Sequence, residues 1–286
     1  MNNRLDLMTD TDAESLRTAH DLLENPGWVA RLSNMVGQPI EKGLSHLPEK
    51  ASAAIGDAVQ KAIHASLKVA LRTMDYNDPS TTEPPKASKW WHMAASAASG
   101  AVGGAFGIGA IAVELPVSTT IMMRSIADIA RSEGADLADV ETQLECIQVL
   151  AFGGKSRKDD AAGIGYFAAR EAMAKAVADA AKHLATKGLS EPGAPALVRF
   201  IAVIAERYGV VVGDKAAAQL VPVIGAIGGA AINTAFMDHF QDMAKGHFTV
   251  RRLERKYGGD LVQAEYRELS RRSLGSSAHD SAAVVE

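Results

Sequence analysis

The 286-residue chain carries 30 Lys and Arg against 34 Asp and Glu, a net charge of −4, so it has no general basic field for holding nucleic acid. Its one cysteine, Cys146, excludes an internal disulfide and a cysteine-built metal site, and fits a reducing compartment. Hydrophobic residues make up 47% of the chain but aromatic ones only 5%, and a core rich in alanine and glycine suits closely approaching helices.

The opening MNNRLDLMTDTDAE is polar and acidic, without the basic and apolar regions of a secretory signal, which points to the cytoplasmic side. After a lead-in over residues 1–10, Thr11 or Asp12 can cap a first helix running to Glu24, with Leu16, Ala19 and Leu22 or Leu23 at helical spacing. Pro26-Gly27 ends it, and a short second helix carries Trp28, Val29, Leu32, Met35 and Val36. From Glu49 to Met74 the pattern is amphipathic: Ile55, Ala58, Val59, Ala62, Ile63 and Ala70 form the apolar stripe, and Asp57, Lys61 and Lys68 lie off it. Residues 75–88, DYNDPSTTEPPKAS, read as a proline-rich loop that is mobile, a lid or a subdomain joint.

Residues 93–113 then pass without a charge, arrive at Glu114, and reach Pro116, which is tolerated in the first turn of a new helix ending near Glu133 and Gly134. Asp136 or Asp139 starts another helix through Leu150, Gly163 to Lys187 is alanine-rich and helical, and residues 197–212 form a further apolar helix. A second uncharged run, AAAQLVPVIGAIGGAAINTAFM, fills residues 216–237 and leads into DHFQDMAKGHFTVRRLERKYGG. A closing helix spans 259–272, and residues 273–286 read as a disordered tail. No stretch alternates with the period of a strand, so the fold class is all-α: one multi-helix bundle over residues 11–272 with two central glycine-rich apolar helices.

The two uncharged runs are long enough to span a bilayer, and Gly100/Gly104, Gly103/Gly107 and Gly225/Gly229 have the i, i+4 spacing that lets helix backbones approach. Against spanning, the runs are largely Ala, Gly and Ser, Pro222 and Asn233 interrupt the second, and the mean hydropathy of the chain is −0.01. Buried helices of a bundle are the favoured reading, with a bundle that docks on lipid, or an inserting hairpin, beside it.

ELPVSTTIMMRSIADIARSEGADL, followed by VPVIGAIGGAAINTAFMDHFQDMAKGHFTVRRLERKYG, resembles the bacterial EcsC family, as does the upstream NPGWVARLSNMVGQPIEKGLSHLP. The likeness runs over residues 25–258; many members carry Asp where this chain has Glu114, which keeps the carboxylate. The family is named from the third product of an operon encoding an ABC exporter, so the resemblance implies a membrane-associated or transporter-linked accessory role. It supplies no catalytic residue to carry over.

Three groups of side chains are candidates for a site. Glu114, Arg124 and Asp128 could form a buried ion pair fixing helix register, with Arg124 clamping Glu114 or pairing with Asp128 one turn on, or could line a polar pocket. Asn233, Asp238, His239, Asp242 and His247 place carboxylates and imidazoles in helical register, as a divalent metal site requires, although the Glu-x-x-His and His-Glu-x-x-His spacings are absent. The blander alternative has His247 bonding a helix end beside Gly246 and the acids solvated. Arg251, Arg252, Arg255 and Lys256 form a basic patch for lipid headgroups or a partner, unless they pair with Asp238, Asp242 and Glu254. Trp90 and Trp91, ahead of the first apolar run, are interfacial anchors or core. SGAVGGAFGIG lacks the strand and acidic residue of a dinucleotide site, and no Gly-x-Ser-x-Gly occurs, so neither a cofactor nor a nucleophile is indicated. The expected function is a non-enzymatic accessory or binding protein working with a membrane surface or a membrane transporter. The alternatives are a metal-dependent hydrolase using the carboxylate/histidine cluster, and a membrane-inserting module.

Overall fold

In the computed structural model of the chain, the described residues are 8–24, 49–73, 108–153, 165–188, 193–220 and 229–283. They form eight α-helices and one short 3-10 turn, and among them there is no strand. In order these are α1 (Asp10–Glu24), α2 (Glu49–Thr73), α3 (Ile108–Ser132), α4 (Val140–Gln148) with the 3-10 turn Val149–Ala151, α5 (Tyr166–Lys187), α6 (Pro195–Leu220), α7 (Gly229–Tyr257) and α8 (Gly259–Ala283). The all-α bundle read from the sequence is therefore the observed fold. The short helix at 28–36, the loop 75–88, Trp90, Trp91 and the glycine pairs ahead of Ile108 lie outside the described residues.

Each helix forms for local reasons the sequence carries. Thr9 caps α1, its hydroxyl accepting from the Asp12 amide at 3.3 Å and bonding the Asp12 carboxylate at 3.0 Å, so the cap lies two residues ahead of where spacing alone put it. In α2 the expected stripe is the buried one, Ile55, Ala58, Val59, Ala62 and Ile63, with Asp57, Lys61 and Lys68 outside. Asp139 caps α4 by accepting from the Thr142 amide at 3.0 Å. The closing helix α8 runs on to Ala283, past residue 272, through a stretch without proline in which Arg271 and Arg272 pair back onto Glu268 at 3.1 Å.

Two expected boundaries move, and both matter for the site. Pro116 does not break the chain: α3 begins at Ile108 and passes through it. A proline inside a helix removes one amide bond, and the hydroxyls of Ser118 and Thr119 turn back onto the Leu115 carbonyl and that of Thr120 onto the Pro116 carbonyl in the same turn. The second uncharged run is not one central helix either. Residues 216–220 finish α6 and residues 229–237 begin α7, as Pro222 in the sequence demands of a helix approaching it.

Helix α3 packs between α2, α6 and α7, and the interhelix bonds fix the directions. Glu114 and Asn233 meet on Lys215, Gln241 donates to Ser125 at 2.8 Å, and Arg252 donates to Glu133 at 2.8 Å, so α3 and α7 run parallel. Lys215 with Glu114 and Tyr208 with Thr119 (2.8 Å) make α6 antiparallel to both. Leu16, Ile63, Met122, Ile126, Phe200, Phe236, Phe240 and Phe248 fill the space between. At Gly246, inside α7, α1 comes so close that a Cβ would lie 2.6 Å from Leu23 Cγ and 3.2 Å from the Ala19 carbonyl. Gly246→Ala is therefore expected to lower stability by about 1–3 kcal/mol, the usual effect of overpacking. Gly209→Ala in α6, where a Cβ meets nothing within 4 Å, is expected to raise it by about 0.5–1 kcal/mol through helix propensity. Urea unfolding of the two variants checks the opposite signs.

Candidate functional site

The bundle's least expected feature is a lysine in its interior. Lys215 is 1% exposed, and its ammonium donates to Glu114 Oε1 at 2.7 Å and to Asn233 Oδ1 at 2.5 Å. It also lies 4.7 Å from the centre of the Phe236 ring, which gives the cation a third favourable neighbour. Burial pulls the Lys215 ammonium below its ordinary value, and the Glu114 carboxylate pulls it back up. Nothing among the described residues donates to Glu114 Oε2, so one carboxylate oxygen of the pair is unspent. Three helices contribute one side chain each, so the cluster depends on α3, α6 and α7 all being in register.

This is not the arrangement expected from the sequence. Arg124 sits ten residues from Glu114 on one continuous helix, about 15 Å along its axis, and is exposed. Only a chain broken at Pro116 could have folded Arg124 back onto Glu114. Asp128 has Arg131 at 3.9 Å. Lys215 was not singled out as a site residue, although a lone Asp-Lys pair between VVVG and AAAQL is the kind of charge that must find a buried partner. Its neighbour Asp214 is half-buried, and burial pushes its carboxyl up to about 6.

The second candidate group separates along α7. Asn233 joins Lys215; Asp238 and Asp242 are half-buried; His239 and His247 are fully buried. His239 packs against Phe240, and Gly153 stands so near that a Cβ there would fall 2.4 Å from His239 Cε1. His247 is not at a helix end, because α7 continues to Tyr257. Its Nδ1 lies 2.7 Å from the Tyr166 hydroxyl, which also accepts from Arg170 at 3.2 Å. Burial and the nearby Arg170 and Arg251 charges hold His247 well below the ordinary histidine value, in its neutral form. Glu145 stands 4.0 Å from His247 Nε2 and 2.7 Å from Arg251, and burial raises its carboxyl above the usual range. Among the described residues no three His, Cys, Asp or Glu side chains come together as a metal ion would need.

The basic patch at the far end of α7 is spent internally. Arg251 bonds Glu145 and Glu254 (2.9 Å), and Glu254 also takes Arg170 at 2.8 Å. Arg252 bridges Glu133 at 2.8 Å and Asp12 at 3.0 Å, Lys256 reaches Asp12 at 2.6 Å, and Arg255 donates to the Glu133 carbonyl. Tyr257 donates to the same Asp12 carboxylate at 2.7 Å. The acids that take these cations are therefore Asp12, Glu133, Glu145 and Glu254; of the three acids expected, the bonds found here involve Glu254. The bundle is thus polarised along α3 and α7. From Glu133 and Arg252 to Glu114 and Asn233 is about 28 Å of helix. Beyond the Lys215 cluster, residues 108–113 of α3, 216–220 of α6 and 229–232 of α7 are uncharged. The sequence leading into α3 (93–107) and that joining α6 to α7 (221–228) is uncharged as well.

The model of the EcsC protein family matches residues 13–253. The chain belongs to the EcsC family. The match reaches further toward the start of the chain than the likeness noted from residues 25–258, and it takes in most of α1, whose Asp12 neighbours the matched segment. No curated protein and no solved structure matches the chain.

Lys215→Met alone leaves the Glu114 carboxylate buried without its cation and is expected to lower stability by about 3–5 kcal/mol, whereas adding Glu114→Leu should recover most of the loss. Urea unfolding of the single and double variants measures both. Asp12 offers a pH test. Lys256, Tyr257 and Arg252 hold its carboxyl far below the usual carboxylate range, so its contribution is fully present above the unfolded value near pH 4, begins to fall there, and is lost as pH drops on through the lower folded value. Asp12→Asn should accordingly flatten the acid limb of the stability curve below about pH 4, as read by circular dichroism at stepped pH.

Proposed function

We propose that this EcsC-family protein is a non-enzymatic accessory protein that docks its uncharged end on the surface of a lipid bilayer, at the inner face of the cytoplasmic membrane. The observation that carries this reading is the polarisation of the bundle. Uncharged ends of α3, α6 and α7 lie together on one side of the Lys215 cluster, and the dense ion-pair network of Asp12, Glu133, Arg252 and Lys256 lies at the other. Val117, 52% exposed, lies on α3 within one turn of Glu114, just inside the uncharged end. No helix among the described residues is long and apolar enough to cross a membrane, so the contact is one of docking by the described helices. The basic run of α7 is not taken as the contact, because Arg251, Arg252 and Lys256 already pair with acids and Arg255 donates to the Glu133 carbonyl. The transporter-linked role that the family resemblance implies would be exercised from that surface, with the charged end turned to water.

Flotation of the purified full chain with vesicles of phosphatidylcholine and phosphatidylglycerol tests this. The protein should rise with the vesicles, and Val117→Asp should cut the bound fraction by about fivefold or more, since a carboxylate resists transfer to apolar lipid. Val198→Asp is the control. Val198 is 51% exposed but precedes Lys215 by seventeen residues on α6, about 26 Å toward the charged end, and its substitution should leave binding unchanged. Protein that stays at the bottom of the gradient would sink the reading.

A further inference from the structure

Docking needs only a surface, yet the structure holds a device that docking does not use. The uncharged ends of α3, α6 and α7 are tied to one another, just inside the tip, by the Lys215 ammonium on Glu114 Oε1 and Asn233 Oδ1. Residues 216–218 of α6 are alanines, whose small side chains make little contact area per residue. A charge pair sealed in the interior holds the helix ends differently. Separating the helices while the pair is in an apolar medium leaves both charges without partners, and separating them in water hydrates both. The cluster therefore keeps the ends closed for as long as it is sealed, and its own polar atoms become the barrier to opening inside lipid.

We propose that the Glu114–Lys215–Asn233 cluster is an internal latch: it keeps the uncharged ends of α3, α6 and α7 closed in the docked protein, and its opening is what turns docking into penetration of the bilayer. The inference rests on the docking reading above. It adds a specific partner, the acyl region of the bilayer, and a specific restraint on reaching it. The unspent oxygen Glu114 Oε2 fits a contact that can be exchanged, because a carboxylate bound through one oxygen gives up one strong bond on release. Thr119 and Tyr208, further in toward the charged end, bond each other at 2.8 Å and tie α3 to α6 a second time.

The experiment is dye release from phosphatidylcholine–phosphatidylglycerol vesicles by the full-length protein, read beside flotation of the same samples. Wild type should float and release dye slowly. Lys215→Met and Glu114→Gln should each release dye about tenfold faster or more, because the first leaves a buried carboxylate without its cation and the second a buried ammonium without its counter-charge. The double variant Glu114→Leu with Lys215→Met, which replaces the pair by apolar packing, should release dye no faster than wild type. Asp12→Asn, which loosens the opposite end of the bundle, separates the latch from general loss of stability and should match wild type. Wild type that floats while Lys215→Met and Glu114→Gln release dye no faster than wild type, or no faster than Asp12→Asn, overturns the latch and leaves docking standing. Should Lys215→Met not fold, Glu114→Gln and the double variant decide by the same comparison. Wild type that does not float removes the docking reading itself, and the latch with it.

Discussion

The ammonium of Lys215 is the constraint that the central bundle obeys. A lysine at 1% exposure is tolerable only if its charge is matched and its protons are occupied, and the partners come from three helices at once. That requirement sets one level at which α3, α6 and α7 meet, and the bonds of Gln241 to Ser125, Arg252 to Glu133 and Tyr208 to Thr119 then make α3 parallel to α7 and α6 antiparallel to both. It also divides the molecule. Toward Glu133 the helices carry charge and tie themselves together with ion pairs; beyond the cluster, the ends of these three helices carry none.

The opposite end solves a similar problem by other means. Asp12 collects Arg252, Lys256 and Tyr257, and so brings α1 to the end of α7, while Gly246 lets α1 lie against α7 closely enough for Leu23 to pack on it. Glu24 binds the amide of Tyr166 and the hydroxyl of Tyr266, which fastens the other end of α1 to α5 and α8. Between these ties, Tyr166 and His247 join α5 to α7 inside a ring of aromatic contacts that includes Phe152. Cations that look in the sequence like a patch offered to a partner are the fasteners of this end.

Such a division of labour gives the EcsC fold in this chain two kinds of polar interior. Partly exposed ion pairs at the charged end are individually weak and act as a network. The sealed pair at the uncharged end is a single strong restraint whose loss is costly, because it strands a charge.

The sequence by itself determined the helices and their faces. The apolar stripe of α2, the Asp139 cap of α4, the absence of any period-two stretch and the likeness of ELPVSTTIMMRSIADIARSEG to one family all follow from local pattern, because helix formation and capping depend on residues within a few positions. Continuity through Pro116 was not legible, because a proline inside a helical pattern reads locally as a boundary, and only packing of α3 along its whole length against other helices overrides that. Which charges pair was not legible either. Arg124 and Glu114 are near in sequence, whereas Lys215 is 101 residues away and reaches Glu114 only once α6 lies antiparallel to α3. The same holds for Arg252 with Asp12, 240 residues apart. Pairing of buried charge is decided by where whole helices pack, and only the tertiary structure could turn a basic run into an internal brace and an unremarked lysine into the centre of the molecule.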